Sequence, residues 1–329
     1  MAGSDITDAV SRFSDRVSTW RKGSAIWGLD TGIAGINRAL GGLQTGLTIL
    51  GARPSHGKTA LAFQIAVYVA ESIYRRTPVG QSPDEKVVIF SPEMSEDDLL
   101  ERFVAMKTGI SINALRRGEA SDEEYAAAMR AAEYFADISS CYILDTDGGE
   151  SFEDMVSILD DMYQESRVGG PRIALAIFDH LQRLRLSTFV PNETREVTII
   201  SDRLKDVSNK YRIPILVTSQ LSRSIERDKR YSETAEREPD MSDLRFGGEM
   251  AADVIMLLWN PRSDDEGDSS TLDAVFHRDA SLNVVKGRNV GVSRIRLEYY
   301  PALTKFVDHP SELRRLAREK KKNGVEVTR

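Results

Sequence analysis

ARPSHGKT, Ala52–Thr59, closes on Gly-Lys-Thr at the spacing of a phosphate-binding loop. Such a loop turns successive backbone N–H groups inward around a β-phosphate, and Ala52, Arg53, Pro54, Ser55, His56, Gly57, Lys58, Thr59 and Ala60 would form that cradle. Gly57 permits close approach, Lys58 reaches the β and γ oxygens, and the Thr59 hydroxyl serves Mg²⁺. Ala52 stands where the first glycine is usual, with Gly51 one place earlier; a cradle made of backbone N–H groups tolerates the exchange. The metal needs a second, acidic element at the end of another buried strand. IALAIFD puts Asp179 there, holding Mg²⁺ through water. VVIFSPEM puts Glu93 just past a strand, where a carboxylate can polarise an attacking water. Spacing alone leaves Glu93 equally readable as an ordinary surface acid, and without the loop Asp179 would read the same way.

These residues need a scaffold that brings strand ends together. Short apolar runs at 47–50, 87–90, 141–144, 173–178, 215–218 and 254–258 alternate with helical patterns, including TALAFQIAVYVAES directly after the loop. Nearly continuous apolar strands separated by helices predict an α/β fold with a mostly parallel sheet covered on both faces. Runs at 282–285 and 293–300, joined through Gly287 and Gly291, predict an antiparallel hairpin at one edge. Ile6, Ala9, Val10, Phe13, Val17 and Trp20 form one stripe on a short N-terminal helix, which either packs on its own domain or docks on a neighbouring subunit. Residues 21–46 read as a linker and a lead-in segment. The basic tail from Ser311 reads as a frayed, solvated terminus.

Composition narrows the function classes. With 329 residues the chain can bury one large core. A net charge of −7 argues against coating nucleic acid over the whole surface, so any such contact must be concentrated. The single cysteine, Cys141, excludes an internal disulfide and a cysteine-rich zinc site and reads as core. With no bilayer-length apolar run and no signal-peptide pattern, the expectation is a cytoplasmic protein with no membrane partner.

The segments TGIAGINRALGGLQTG, GARPSHGKT, VVIFSPEMSEDDLLERFVA, AIFDHLQRLR, ILVTSQLSRSIERDKR, SDLRFGGEMAADVIMLLW and VVKGRNVGVSRIRLEYY, in this order, resemble the ATPase domain of DnaB-family replicative helicases, a RecA-like group. The likeness covers about residues 26–308, leaving a linker helix in 1–25 and a basic tail in 309–329. It implies a homohexameric ring around one DNA strand, hydrolysing ATP with Mg²⁺ at subunit interfaces. Glu93 then becomes the water-activating base, Gln220 the γ-phosphate sensor, and Lys286 and Arg288 the basic pair reaching the neighbour's ATP, Arg288 as arginine finger. Two segments resemble DNA-facing loops, giving Arg183, Arg185 and Arg195 in the first and Arg223, Arg227, Lys229 and Arg230 in the second as phosphate contacts. Glu226 and Asp228 dilute the charge of the second, which leaves it readable as a mixed-charge exposed loop.

His56 and His180 stand where the family more often has Met and Tyr, and read as neutral substitutions, not metal ligands. Full-length members carry an N-terminal primase-gathering domain, whereas about 25 residues precede the likeness here. Primase, a helicase loader or a separate N-terminal-domain protein are therefore further partners the resemblance suggests. Besides a helicase, the residues allow a DNA-dependent ATPase that remodels or loads without processive unwinding, or a nucleotide-gated scaffold ring.

Overall fold

The computed structural model describes residues 6–21, 26–138, 140–145, 149–221, 237–244, 248–261 and 276–315. Its centre is one nine-stranded sheet in the order β3-β2-β4-β5-β1-β6-β7-β8-β9. The strands are β1 (Gly46–Ala52), β2 (Glu85–Ser91), β3 (Cys141–Asp145), β4 (Arg172–Phe178), β5 (Pro214–Gln220), β6 (Val254–Trp259), β7 (Arg278–Gly287), β8 (Ser293–Tyr300) and β9 (Lys305–Asp308). The first six strands of that order run parallel and the last three add antiparallel pairs. The expected hairpin is β7–β8; the short β9, which lacks an apolar run of its own, lies outside it and forms the edge.

Alternation along the strands divides the core in two. Leu50, Ala52, Val87, Ile89, Leu175 and Ile177 face one layer, with α3 (Lys58–Arg76), α4 (Glu96–Thr108) and α6 (Asp122–Asp137). Leu47, Ile49, Val88, Phe90, Ala176 and Phe178 face the other, with α7 (Phe152–Arg167) and α8 (Glu193–Tyr211). On α8 the buried Val197, Ile200, Leu204, Val207 and Tyr211 recur at three- and four-residue steps, one stripe laid on the sheet. Serine caps start α4, α6 and α7: Ser95, Ser121 and Ser151 each accept an N–H of the first turn, and the last two form capping boxes.

Two expectations are corrected. Within 21–46 lies a helix, α2 (Ala34–Leu40), ended by Gly41 in the left-handed region at φ 69°. Its Ile36 and Leu40 are buried, so 34–40 of the lead-in segment is helical core, while 22–25 lie outside the described residues. The start of the tail is also not frayed: residues 310–315 are helical, and Glu312, 5% exposed, meets Arg38 at 2.6 Å. The remaining short helix is α5 (Ile112–Arg116). The N-terminal helix, α1 (Ile6–Arg21), forms as the stripe requires, with Ile6, Val10 and Phe13 exposed. Among the described residues, no helix is long and apolar enough to cross a membrane.

Candidate active site

Parallel strands deliver their carboxyl ends to one side of the sheet, and the chemistry gathers there. The loop 53–57 leaves β1 and feeds directly into α3, which starts at Lys58. Gly57 sits at φ 92°, and a Cβ there would come within 2.9 Å of the Phe306 ring, so only glycine fits both the turn and the contact. Ser55 also takes a positive φ, 66°, at the exposed crest. Ala52 is the last residue of β1, fully buried and paired in register with Gln220, a place that needs no glycine. His56 is buried and fixes the loop to the end of β6: its Nδ1 accepts the N–H of Asn260 at 3.1 Å, and the Asn260 amide donates back to its carbonyl at 3.4 Å. The buried Arg53 donates to the carbonyl of Arg237 at 2.9 Å, and Pro54 and Ala60 complete the loop and first turn. The first N–H groups of α3 lack intrahelical partners and bring the positive end of the helix dipole to the loop.

Lys58 stands between two acids, its Nζ 3.7 Å from Oδ1 of Asp179 and 3.8 Å from Oε2 of Glu93, and 3.4 Å from the Thr59 hydroxyl. Asp179 follows β4, whose Phe178 stacks on Phe90 of β2 with centroids 4.6 Å apart, a rigid base beneath the carboxylate. Because Phe178 pairs with Val217, Thr218 falls beside Asp179 and its hydroxyl donates to Oδ1. Asp179 Oδ2 is buried with no hydrogen-bond partner among the described residues. With the Thr59 hydroxyl nearby, this hard-oxygen pair suits a hydrated Mg²⁺, which takes one or two protein ligands and keeps its waters. The Asp179–His180 peptide is cis, and Nδ1 of His180 lies 2.8 Å from Oε2 of Glu93. Burial first, then the Lys58 ammonium, holds the His180 imidazole below its ordinary pKa, against the pull of Glu93 and Asp179.

Gln220 ends β5 beside the loop. Its N–H donates to Oε1 of the buried Gln182 at 3.0 Å, and the Gln182 amide donates to the Ser219 hydroxyl at 2.9 Å and the Gln220 carbonyl at 3.3 Å. Gln182 therefore straps the segment after β4 to the end of β5. Asn260, Thr218 and Gln182 carry no spacing signal and are not legible in the sequence; the registers β1–β6, β1–β5 and β4–β5 bring them to the site.

Lys286 and Arg288 are not at this end. Gly287 pairs with Val254, and Val254 with Thr48, at the amino end of β1. At about 3.3 Å per residue, roughly 13 Å of strand separates that level from Ala52, before the loop begins. Lys286 Nζ donates to the carbonyls of Glu249 and Met250. The Arg288 guanidinium, 69% exposed, lies 3.3 Å from Asp253, which also pairs with Lys205. Of the basic residues after β4, Arg183, Arg185 and Arg195 are all exposed, Arg185 standing 3.7 Å from Glu196. Arg223, Arg227, Lys229 and Arg230 lie outside the described residues.

Comparison with known proteins identifies the family and the fold. The chain is 32% identical over 265 residues to the replicative DNA helicase DnaC of Bacillus subtilis, covering 80% of this chain and 52% of that protein. It spans about half the length of the curated relatives it matches. Among solved structures, one described as an ATPase domain superposes with a TM-score of 0.74 at 23% identity, covering 94% of this chain and 100% of that one. A DnaB-like replicative helicase, described with its interactions with primase, gives 0.72 at 23% identity, covering 94% and 68%. These two show a shared RecA-like fold. The family of the DnaB-like helicase C-terminal domain matches residues 28–308, and the chain belongs to it.

Proposed function

We propose that the chain is the motor of a hexameric DNA helicase that moves along single-stranded DNA, hydrolysing ATP at subunit interfaces. One observation carries this reading: Lys58, Glu93, Asp179 and Gln220 gather at one end of the sheet, while the exposed Arg288 stands at the other. An arginine so placed cannot serve its own loop, but a neighbour stacked head to tail would receive it. Ala52–Ala60 bind the phosphates, and Thr59 and Asp179 would hold Mg²⁺, which would supply charge neutralisation at the phosphates. Glu93 orients the attacking water and takes its proton. Gln220 bonds the γ-phosphate and passes its loss to the adjoining loop, and Arg288, with Lys286, stabilises charge on the γ-phosphate from the neighbouring subunit.

Arg183, Arg185 and Arg195, with Arg223, Arg227, Lys229 and Arg230, are proposed to hold DNA phosphates without reading sequence. Primase, a helicase loader or a separate N-terminal-domain protein are proposed partners. The primase described with the DnaB-like relative supports the first. The N-terminal helix, whose Ile6, Val10 and Phe13 are exposed, is proposed to dock on the adjacent subunit, residues 26–308 to form the ATPase domain and 309–329 the basic tail.

The test is ATP hydrolysis with and without single-stranded DNA, the mass in solution, and strand separation on a forked duplex. DNA-stimulated turnover by a hexamer that separates strands is expected. Stimulated turnover without separation would replace the helicase with a remodelling ATPase, and turnover by a monomer would overturn the ring.

A further inference from the structure

By sequence alone, His180 reads as a neutral replacement. Its surroundings give it work. The residue is 5% exposed, its Nδ1 faces Oε2 of Glu93 at 2.8 Å, and that nitrogen has no well-formed hydrogen bond among the described residues. Glu93 itself is 41% exposed along its side chain, so few groups restrain it. Among the described residues, the cation beside it is Lys58, at 3.8 Å. Lys58 is also the group that phosphate must recruit, and an ammonium turned toward β and γ oxygens is drawn off the carboxylate. His180 then remains as the buried partner of Glu93, fixed to the metal-side strand through Asp179.

We propose that His180 is a positioning residue for the water-activating carboxylate: its Nδ1–H donates to Glu93 and keeps that group aimed at the attacking water once Lys58 has turned to phosphate. This rests on the hydrolase reading above. The proton of the water goes to Glu93, and the imidazole itself neither gains nor loses one. A held carboxylate lowers the barrier because a base misplaced by about 1 Å forfeits up to a hundredfold in rate.

The experiment measures kcat and KM for ATP with urea unfolding midpoints for the parent, His180→Ala, His180→Asn, Glu93→Gln and the His180→Ala/Glu93→Gln double variant. Asparagine places an amide N–H near the position of Nδ1, which makes it the conservative replacement. The expected result is a loss of about ten- to a hundredfold in kcat for His180→Ala. KM and the unfolding midpoint stay close to the parent values, His180→Asn recovers most of the rate, and His180→Ala adds no loss to the residual turnover of Glu93→Gln. If His180→Ala does not fold, the apolar His180→Leu, similar in volume, takes its place. An unchanged kcat, an equal loss in His180→Asn, or a full additional loss in the Glu93→Gln background each overturns the assignment. A parent without turnover overturns the hydrolase reading and this assignment with it, whereas a parent that loses turnover in Glu93→Gln but not in His180→Ala overturns this assignment alone.

Discussion

Lys58 and Arg288 are both cations proposed to meet the same phosphates, yet they stand at opposite ends of one sheet, and their loss should be felt differently. Lys58→Ala removes a charge from the cradle, so both nucleotide binding and turnover fall, read by fluorescent-nucleotide titration and phosphate release. Arg288→Ala leaves the cradle intact; binding stays within about threefold while turnover drops by about a thousandfold or more. Mixing the two inactive variants then restores part of the rate, because a Lys58→Ala subunit still offers Arg288 to a neighbour with an intact loop. A mixture as inactive as its components would mean that Arg288 acts elsewhere. On the proposed mechanism, chelating Mg²⁺ is expected to stop turnover, because among the described residues Asp179 Oδ2 has no protein donor to take the metal's place. The loop and Asp179 were legible because phosphate chemistry demands particular residue types at fixed spacing. His180 and Gln182 were not, since a partner across two strands leaves no mark in the order of residues.

At the scale of elements, the strand ends that carry the site are joined by few side chains. Gln182→Ala takes away three hydrogen bonds and leaves the Gln220 N–H and the buried Ser219 hydroxyl to find other partners. The expected cost is about 1–3 kcal/mol in urea unfolding, and an unchanged midpoint would show that the strap is dispensable. The helical start of the tail gives a second test. Glu312→Ala removes the carboxylate that meets Arg38 at 2.6 Å, and a loss of about 1–2 kcal/mol is expected, reduced because Arg38 is partly exposed. The strands were legible because a sheet buried on both faces demands unbroken apolar runs. The short α2 and β9 were not, because seven and four residues are too few to display a period.

At the scale of the molecule, Ile6, Val10 and Phe13 of α1 are exposed apolar side chains, which suit a neighbouring copy. Deleting residues 1–22 should leave a folded monomer, with a circular dichroism spectrum that loses only the helix signal of α1 and the mass of a single chain. A shortened protein that still forms rings would remove α1 from the assembly.

The order of residues by itself determined the phosphate loop, the strand-terminal acid, the alternation that makes a mostly parallel sheet, and the likeness to one helicase family, because each is written as local spacing or as a run of apolar residues. The tertiary structure decided which strands are neighbours. That order and its registers set Thr218 beside Asp179, Gln220 beside Ala52 and His180 against Glu93, and they carried Arg288 to the far end of the sheet. Spacing along a chain fixes what one strand presents at its end, but which ends meet is settled by how two apolar faces can be covered at once, and that is a property of the whole packed sheet.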